Sequence, residues 1–139
     1  MTSSKTIRDK LIEILDAAGT LAAVTGWFKG EPLIGRRTAY PFAWIEWIGG
    51  PVAAPVGAKA EIRDNFYVAV VDKDTDAEKA EDKIMDWAEA VEAVLDDDPS
   101  IESLVATSFV VNREKQKLFD SNMASIVAVR LTLFTRRRE

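Results

Sequence analysis

The amino-acid sequence predicts a single α+β domain in the order α-β-β-α-β-β, with a mainly antiparallel four-stranded sheet and two helices packed on one of its faces. Three observations lead to this prediction. Two stretches repeat apolar residues at helical spacing, four stretches carry apolar residues in the manner of strands, and 139 residues are the length of one domain. No internal repeat or low-complexity tract divides residues 1–139.

The two helices are predicted from apolar stripes and end signals. The first covers residues 5–18, between a serine cap and Gly19. The second begins with a capping box at Thr75–Glu78 and runs to about Leu95. The two stripes consist of Ile7, Leu11, Ile14, Leu15 and Ala18, and of Ala77, Ala80, Ile84, Trp87, Ala88, Val91, Val94 and Leu95.

The strands are predicted from runs of β-branched and aromatic residues. Residues 19–40 have no sustained pattern and are predicted to be a connector. An apolar hairpin loop, residues 49–59, joins the first two strands, and the polar loop "REKQKLFDSN" joins the last two. The four predicted strands are Phe42–Ile48 and residues 60–71, 104–112 and 123–135.

Composition narrows the class of function. The chain has no Cys, which removes disulfide scaffolds, thiol catalysis and zinc–thiolate sites. It has no His, the usual general base near neutral pH, so we expect a protein that is not an enzyme and binds no cofactor. No segment resembles a signal peptide or a membrane span, so we expect the cytoplasm. A net charge of −5 argues against general nucleic-acid binding, and the one basic cluster lies at 136–139.

Two acidic clusters have carboxylates close enough in sequence to suggest a metal site. The alternating aspartates of residues 72–76 have the spacing of a calcium-binding loop, but the sixth position is Ala77 instead of Gly and the twelfth is Lys83 instead of Glu. Asp96–Asp98 lie at a helix C-terminus, where carboxylates oppose the helix dipole and prefer solvent. The sequence therefore predicts no metal.

Glu46 interrupts the apolar run of the first strand. A buried acid can serve catalysis, but no nucleophile or oxyanion device accompanies this one. Such a residue more often pairs with an arginine on a neighbouring strand or across a subunit interface. Arg63 and Arg130 are available for that ion pair.

The run Phe42–Ile48 is apolar on both of its alternating faces. Trp44 and Trp47 have opposite parity, so they point to opposite faces of the sheet. With two predicted helices on one face, the other face lacks cover and is expected to meet other protein chains, unless the connector 19–40 wraps over it. The predicted interface residues are Phe42, Trp44, Trp47, Pro51, Val52, Pro55, Val56, Ile126 and Phe134.

Four stretches follow one another in a familiar order: "YPFAWIEW", "DNFYVAVVDKD", "DAEKAEDKIMDWAEAVEAVL" and "SIVAVRLTLFTRRR". In this order and hydrophobic pattern, over about residues 5–135, the chain resembles the tail terminator (tail-completion) proteins of long-tailed bacteriophages and prophages. After the second helix, where a Gly-rich turn would be expected, this chain has Glu102-Ser103.

The resemblance implies a homohexameric ring that caps the finished tail tube, ends its polymerisation and offers a surface for head attachment. The implied partners are other copies of the chain, the tail tube protein and a head-completion or connector protein. DNA would pass through without specific binding, so we expect an acidic or neutral lumen, to which Asp72, Asp74 and Asp96–Asp98 contribute. The implied location is the host cytoplasm during assembly and then the virion tail.

Two other functions stay open. One is that of another structural part of the same particle, a head–tail neck or stopper protein. The other is that of a small α+β ligand-binding regulatory domain that dimerises edge to edge, which predicts a pocket and a dimer.

Overall fold

A computed structural model of the chain describes residues 2–32, 39–53, 60–121 and 124–138, with only the backbone at 118–121 and 124. Within these ranges, two helices and six strands form a mixed α/β fold. In chain order they are α1 (Ser4–Ala17), β1 (Trp27–Lys29), β2 (Phe42–Gly49), β3 (Val52–Ala53), β4 (Glu61–Asp74), α2 (Ala77–Asp97), β5 (Thr107–Ser121) and β6 (Ala124–Arg138), with a 3₁₀ turn at Gly19–Leu21.

The six strands form one sheet in the order β1-β2-β4-β6-β5, and β3 pairs with the start of β4. All pairs are antiparallel except β1 with β2, which run parallel. The prediction of four strands is wrong because the connector contributes β1 and the apolar loop contributes β3. These strands have three and two residues, too few for an alternating pattern to appear in the sequence.

Strand β5 continues through residues 113–121, where the sequence predicted a polar loop. That prediction is wrong because β5 lies at the edge of the sheet. An edge strand tolerates charges along its length, and they protect it from unspecific pairing. Charged and polar residues from Arg113 to Lys117 therefore hide the strand pattern that β6 shows clearly.

The chain between α2 and β5 makes a left-handed turn. Ile101, Glu102 and Ser103 have φ of 50°, 51° and 68°, a region that favours glycine. The Asp98 carboxylate accepts hydrogen bonds from the Glu102 amide and the Ser100 hydroxyl, both at 2.7 Å. These bonds, led by that of the amide, hold the pKa of Asp98 below its ordinary value. After this turn β5 begins at Thr107, and not at residue 104 as the sequence predicted.

Both helices pack on one face of the sheet, which confirms the prediction. The Ser3 hydroxyl accepts a hydrogen bond from the Thr6 amide at 3.1 Å and caps α1. The N-cap of α2 is Asp76 instead of the predicted Thr75, because the Asp76 carboxylate accepts from the Glu78 amide at 2.9 Å. Neither helix in the described ranges combines the length and apolar character needed to cross a membrane. The core beneath them includes Ile7, Leu11, Leu15, Ala43, Ile45, Phe66, Val68, Val70, Ile84, Val91, Val129, Leu131 and Leu133.

The opposite face carries a second apolar cluster that the chain covers itself. Phe28 of β1 and Tyr40 of the connector pack against it. The expectation that Phe42, Trp44 and Ile126 lie exposed for a partner is therefore wrong: their exposed fractions are 1%, 5% and 6%. The structure agrees with the alternative prediction, in which the connector covers this face, for the part of the sheet that carries this cluster. The cluster consists of Phe42, Trp44, Ala69, Val71, Ile126 and Ala128.

Candidate functional site: two opposite edges of the sheet

Six large apolar side chains of the described residues are exposed, and five of them lie at two edges of the sheet. Their exposed fractions range from 40% to 65%. Apolar area of this kind, gathered in one place, marks an interaction site. The six are Trp47, Ile48 and Val52 on one side, Phe109 and Val111 on the other, and Met85 on α2.

Trp47, Ile48 and Val52 form the β2–β3 edge. The pairing of β1 with β2 ends at Ile45, whose carbonyl accepts a hydrogen bond from the Gly30 amide at 2.8 Å. Beyond that point no strand of the described residues pairs with the outer side of β2 or β3. Aromatic and aliphatic side chains therefore stand beside unpaired backbone groups.

Two glycines connect β2 to β3 along this edge. Gly49 has φ of 81°, and a Cβ placed on Gly50 would lie 1.7 Å from the Arg63 carbonyl oxygen. The Arg63 amide donates to the Pro51 carbonyl at 3.0 Å. The Gly-Gly-Pro turn is thus pressed against β4, and Pro51 and Val52, both predicted interface residues, are exposed on its outer side. Pro55 and Val56, also predicted, lie outside the described residues.

Phe109 and Val111 form the β5 edge. The Phe109 ring lies 5.0 Å from that of Phe134 on β6, a predicted interface residue that is half-buried. Val111 sits at a bulge between the pairs made by Val110 and Asn112. Within the described part of the chain, no strand pairs with the outer side of β5.

The cross-strand register places the two edges at the same level along the strands. Trp47 pairs with Phe66, Phe66 with Leu133, and Leu133 with Val110. Three strand spacings, roughly 14 Å, separate the edges. The molecule thus presents two dissimilar apolar edges, one on each side of the same four strands.

Trp47 is anchored at its polar end. Its indole N–H donates to the Asp64 carboxylate at 2.9 Å. The same carboxylate accepts from the Ser4 hydroxyl at 2.8 Å and forms a buried ion pair with Arg137. Burial by itself would raise the pKa of this carboxyl, but the three donated hydrogen bonds and the guanidinium charge outweigh burial and hold the pKa below its ordinary value.

The predicted ion pairs of Glu46 are not formed within the described residues. Arg63 pairs with Glu61 at 3.5 Å, and Arg130 pairs with Glu114 at 2.8 Å. The hydrogen bond from Arg130 to Glu114 is the main cause of the raised pKa of Arg130, to which the charge of Glu46 adds. Glu46 itself is half-buried on the outer part of β2.

The predicted lumen residues make contacts within the chain, and their place in a lumen stays a prediction. Asp72 is buried and accepts a hydrogen bond from the Trp87 indole at 2.8 Å. Asp74 pairs with Lys83 at 2.9 Å. In the Asp96–Asp98 cluster, Asp98 holds the left-handed turn. Among the described residues, no three acidic side chains come together as metal ligands.

A cavity of about 580 Å³ lies beside Asp72. Tyr40 and Trp87 contribute aromatic walls, and Lys73 and Lys83 contribute cations. The Lys73 ammonium lies 4.8 Å from the centre of the Tyr40 ring. Aromatic walls and a few charged groups are typical of a site for a small molecule or a partner side chain.

Sequence reasoning missed the β5 edge. Phe109, Val110 and Val111 are three consecutive apolar residues, so they occupy both faces of a strand. The same signal in Phe42–Ile48 predicts an interface. In "SFVVN" it indicates a second one.

No family model matches the sequence, and no curated protein is similar to it. A solved structure does share the fold. A chain in the virion of a native gene transfer agent (GTA) particle is similar with a TM-score of 0.57 and 12% sequence identity, over 95% of this chain and 94% of its own length. At this identity the match shows the fold alone, and it extends over nearly all of both chains.

Proposed function

We propose that the chain is a structural component of a phage-like virion, and that it forms a ring that caps the tail tube, ends tube polymerisation and provides the surface for head attachment. The observation that carries the proposal is the pair of dissimilar apolar edges on opposite sides of one sheet. Different patches on the two sides of a subunit produce a head-to-tail contact that repeats, and such a contact closes into a ring when the rotation fits.

The shared fold and the resemblance support a place for this ring in a phage-like particle. The GTA virion chain supports a role in a particle of this kind, because the shared fold covers 94% of its length. The resemblance to tail terminators supports the specific place at the end of the tail tube and a ring of six copies. The proposed partners are other copies, the tail tube protein and a head-completion or connector protein, with DNA passing through unbound. The proposal includes no catalysis and no cofactor.

Solution mass by light scattering, at low and high protein concentration, tests the proposal. We expect a mass that rises towards six times the chain mass of 15.4 kDa. The same measurement with tail tubes present covers a ring that closes only on its tube. A dimer whose mass is constant over the whole concentration range contradicts the proposal, because repeated head-to-tail contacts do not stop at two copies.

A neck or stopper protein would use the same two edges. Binding to purified tail tubes and to tail-less heads separates these two functions. A terminator binds the tube end first, whereas a stopper binds the head connector without a tail.

The ligand-binding alternative is favoured by one observation, the cavity beside Asp72. Its residues Tyr40, Trp87 and Lys73 offer stacking and charge together. A screen of metabolites by thermal shift tests it, with Trp87→Leu as the control variant. A shift of several degrees in the wild-type chain alone, together with a stable dimer, would favour a regulatory domain over a ring subunit.

A further inference from the structure

We propose that neighbouring copies join by antiparallel pairing of β5 of one copy with the β2–β3 edge of the next, so that the sheet continues from subunit to subunit. This inference rests on the proposed function, because it names how the copies associate. Both edges lack a partner strand within the described residues. An open strand edge presents unpaired N–H and C=O groups, which are a template for pairing with another chain.

Strand direction favours this pairing. Each neighbouring pair in the series β2-β4-β6-β5 is antiparallel, so β5 runs opposite to β2. Copies related by rotation about an axis along the strands keep the same orientation and the same level. In that arrangement β5 meets the next copy's β2 antiparallel, the geometry in which strands pair with straight hydrogen bonds.

The level of the side chains favours it too. In the register of the sheet, Trp47 is level with Val110, and Gly49 is level with Phe109, so Trp47–Gly49 and Phe109–Val111 occupy the same stretch. The contact would therefore bring the exposed side chains of Trp47 and Ile48 beside those of Phe109 and Val111. Removing apolar area from water is the main favourable term in most protein association.

Glu46 would gain a partner in this contact. Its register runs through Tyr67 and Thr132 to Asn112, which is exposed on β5. The amide of Asn112 in the next copy can donate to the Glu46 carboxylate. Within the described part of one chain, Glu46 has no hydrogen bond or ion pair, so this bond would satisfy a half-buried charge.

The cations on β5 do not oppose the approach. Arg113 pairs with Glu92 at 3.4 Å, and Lys115 pairs with Glu81 at 2.7 Å. Both acids belong to α2, so the two positive charges are directed towards the helix. The strand edge keeps protective charges against unspecific pairing and still leaves Thr107–Asn112 open to a specific partner.

Pairing of β5 with β5 around a two-fold axis is the competing arrangement. It would close at a dimer and leave Trp47, Ile48 and Val52 exposed. The pairing of unlike edges covers both patches in every copy of a closed ring. The geometry therefore favours unlike edges.

Disulfide trapping tests the contact, because the chain has no Cys of its own. The variants are Ile48→Cys, Val111→Cys and the double variant. In one chain the two positions are roughly 14 Å apart, too far to bridge, so a disulfide has to join two copies. The control double variant combines Ile48→Cys with Gln116→Cys, whose second thiol lies roughly 17 Å further along β5.

Under mild oxidation the double variant is expected to give a ladder of linked chains, and a mixture of the two single variants is expected to give dimers only. Each single variant and the Gln116→Cys control should stay unlinked. Circular dichroism spectra identical to those of the wild-type chain confirm that the variants are folded.

Light scattering under reducing conditions separates the failure of this inference from that of the proposed function. If the Ile48→Cys/Val111→Cys variant forms rings but no linked chains, the edge pairing is wrong and the ring remains. Dimers of Val111→Cys alone also overturn it, because they show β5 paired with β5. A wild-type chain that stays monomeric both alone and with tail tubes contradicts the proposed function itself.

Discussion

The two halves of β2 contain similar apolar residues, but those of the first half are buried and those of the second half are exposed. Phe42, Ala43, Trp44 and Ile45 are buried, because the helices cover one face, Phe28 and Tyr40 cover the other, and β1 pairs with the edge. The second half runs past the end of β1. As a result Trp44 is 5% exposed and Trp47 is 55% exposed, although the two indoles are three residues apart.

The neighbouring strands, more than the residue type, therefore decide which apolar side chains of β2 stay exposed. All the helices, strands and side chains that cover the first half belong to the same chain. The second half is anchored by the hydrogen bond from the Trp47 indole to Asp64, and its apolar side chains stay in water. Substitutions in the two halves test this contrast and are given in order of decreasing loss of stability.

The largest effect is expected in the covered half. Phe42→Ala removes a ring that lies 5.3 Å from Tyr40 and 6.2 Å from Trp44. We expect a loss of about 3–5 kcal/mol in the free energy of unfolding, measured with urea, because a buried phenylalanine leaves a cavity. Phe109→Ala on the exposed edge is the matched control and should lose about 1 kcal/mol or less. Equal losses would mean that the two regions do not differ as described.

The next effect concerns the turn that forms the β2–β3 edge. Gly50→Ala places a methyl group against the Arg63 carbonyl, 1.7 Å from its oxygen, so the turn has to move away from β4. We expect a loss of about 1–3 kcal/mol, the usual result of overpacking. Gly19→Ala is the control, since nothing lies within 4 Å of its added Cβ. Unfolding in urea should show a change in the Gly50 variant alone.

A smaller effect is expected at the polar anchor. Trp47→Phe keeps an aromatic ring and removes the hydrogen bond to Asp64, so we expect a loss of about 1 kcal/mol at pH 7. The folded-state pKa of Asp64 is below its ordinary value, so the bond's stabilisation is present above the pKa of the unfolded chain, about 4, and is lost as pH falls through the folded pKa.

The stability difference between Trp47→Phe and the wild-type chain should therefore shrink on acidification below pH 4 or so. Urea unfolding at a series of pH values measures it. A difference that grows with acid would mean that the indole stabilises the protonated carboxyl, contrary to the network described.

The smallest effect on stability, with the largest effect on assembly, is expected for Ile48→Glu. Ile48 is 40% exposed, so the unfolding free energy should change by about 0.5 kcal/mol or less. The added charge should keep other copies away from the β2–β3 edge and lower the mass in light scattering to that of one chain. Met85→Glu, on the α2 side of β5 and outside the two apolar edges, is the control that should still assemble. Loss of assembly in both variants would show an effect of charge alone.

Much of the fold could be predicted because its core elements repeat apolar residues at regular spacing. The stripes Ile7–Leu15 and Ala80–Leu95 located both helices, and the alternation in β4 and β6 located the central strands. The strand predicted at 104–112 ends too early, because the charged residues of β5 at 113–117 mask the alternating apolar pattern. The left-handed turn at Ile101–Ser103 was not predicted, because the Asp98 carboxylate stabilises it and no glycine marks it in the sequence.

The candidate site could be predicted only in part. Trp47, Pro51 and Val52 were expected to be exposed and are, whereas Phe42 and Trp44 were not recognised as covered. The sequence does not show that β1, three residues long, pairs with the first half of β2 and that this pairing stops at Ile45. The level match between Trp47 and Val110 depends on the register of four strands, which no local pattern contains.

Mixing two edge variants tests the central claim, that unlike edges on opposite sides of the sheet complete one another, most directly. Ile48→Glu has an intact β5 edge and Val111→Glu an intact β2–β3 edge. Light scattering should find each variant alone at 15.4 kDa and their equimolar mixture at twice that mass and no larger, because one good contact can form between them. The claim is contradicted if the mixture stays at the mass of one chain under conditions in which the wild-type chain assembles, or if either variant still forms large assemblies alone.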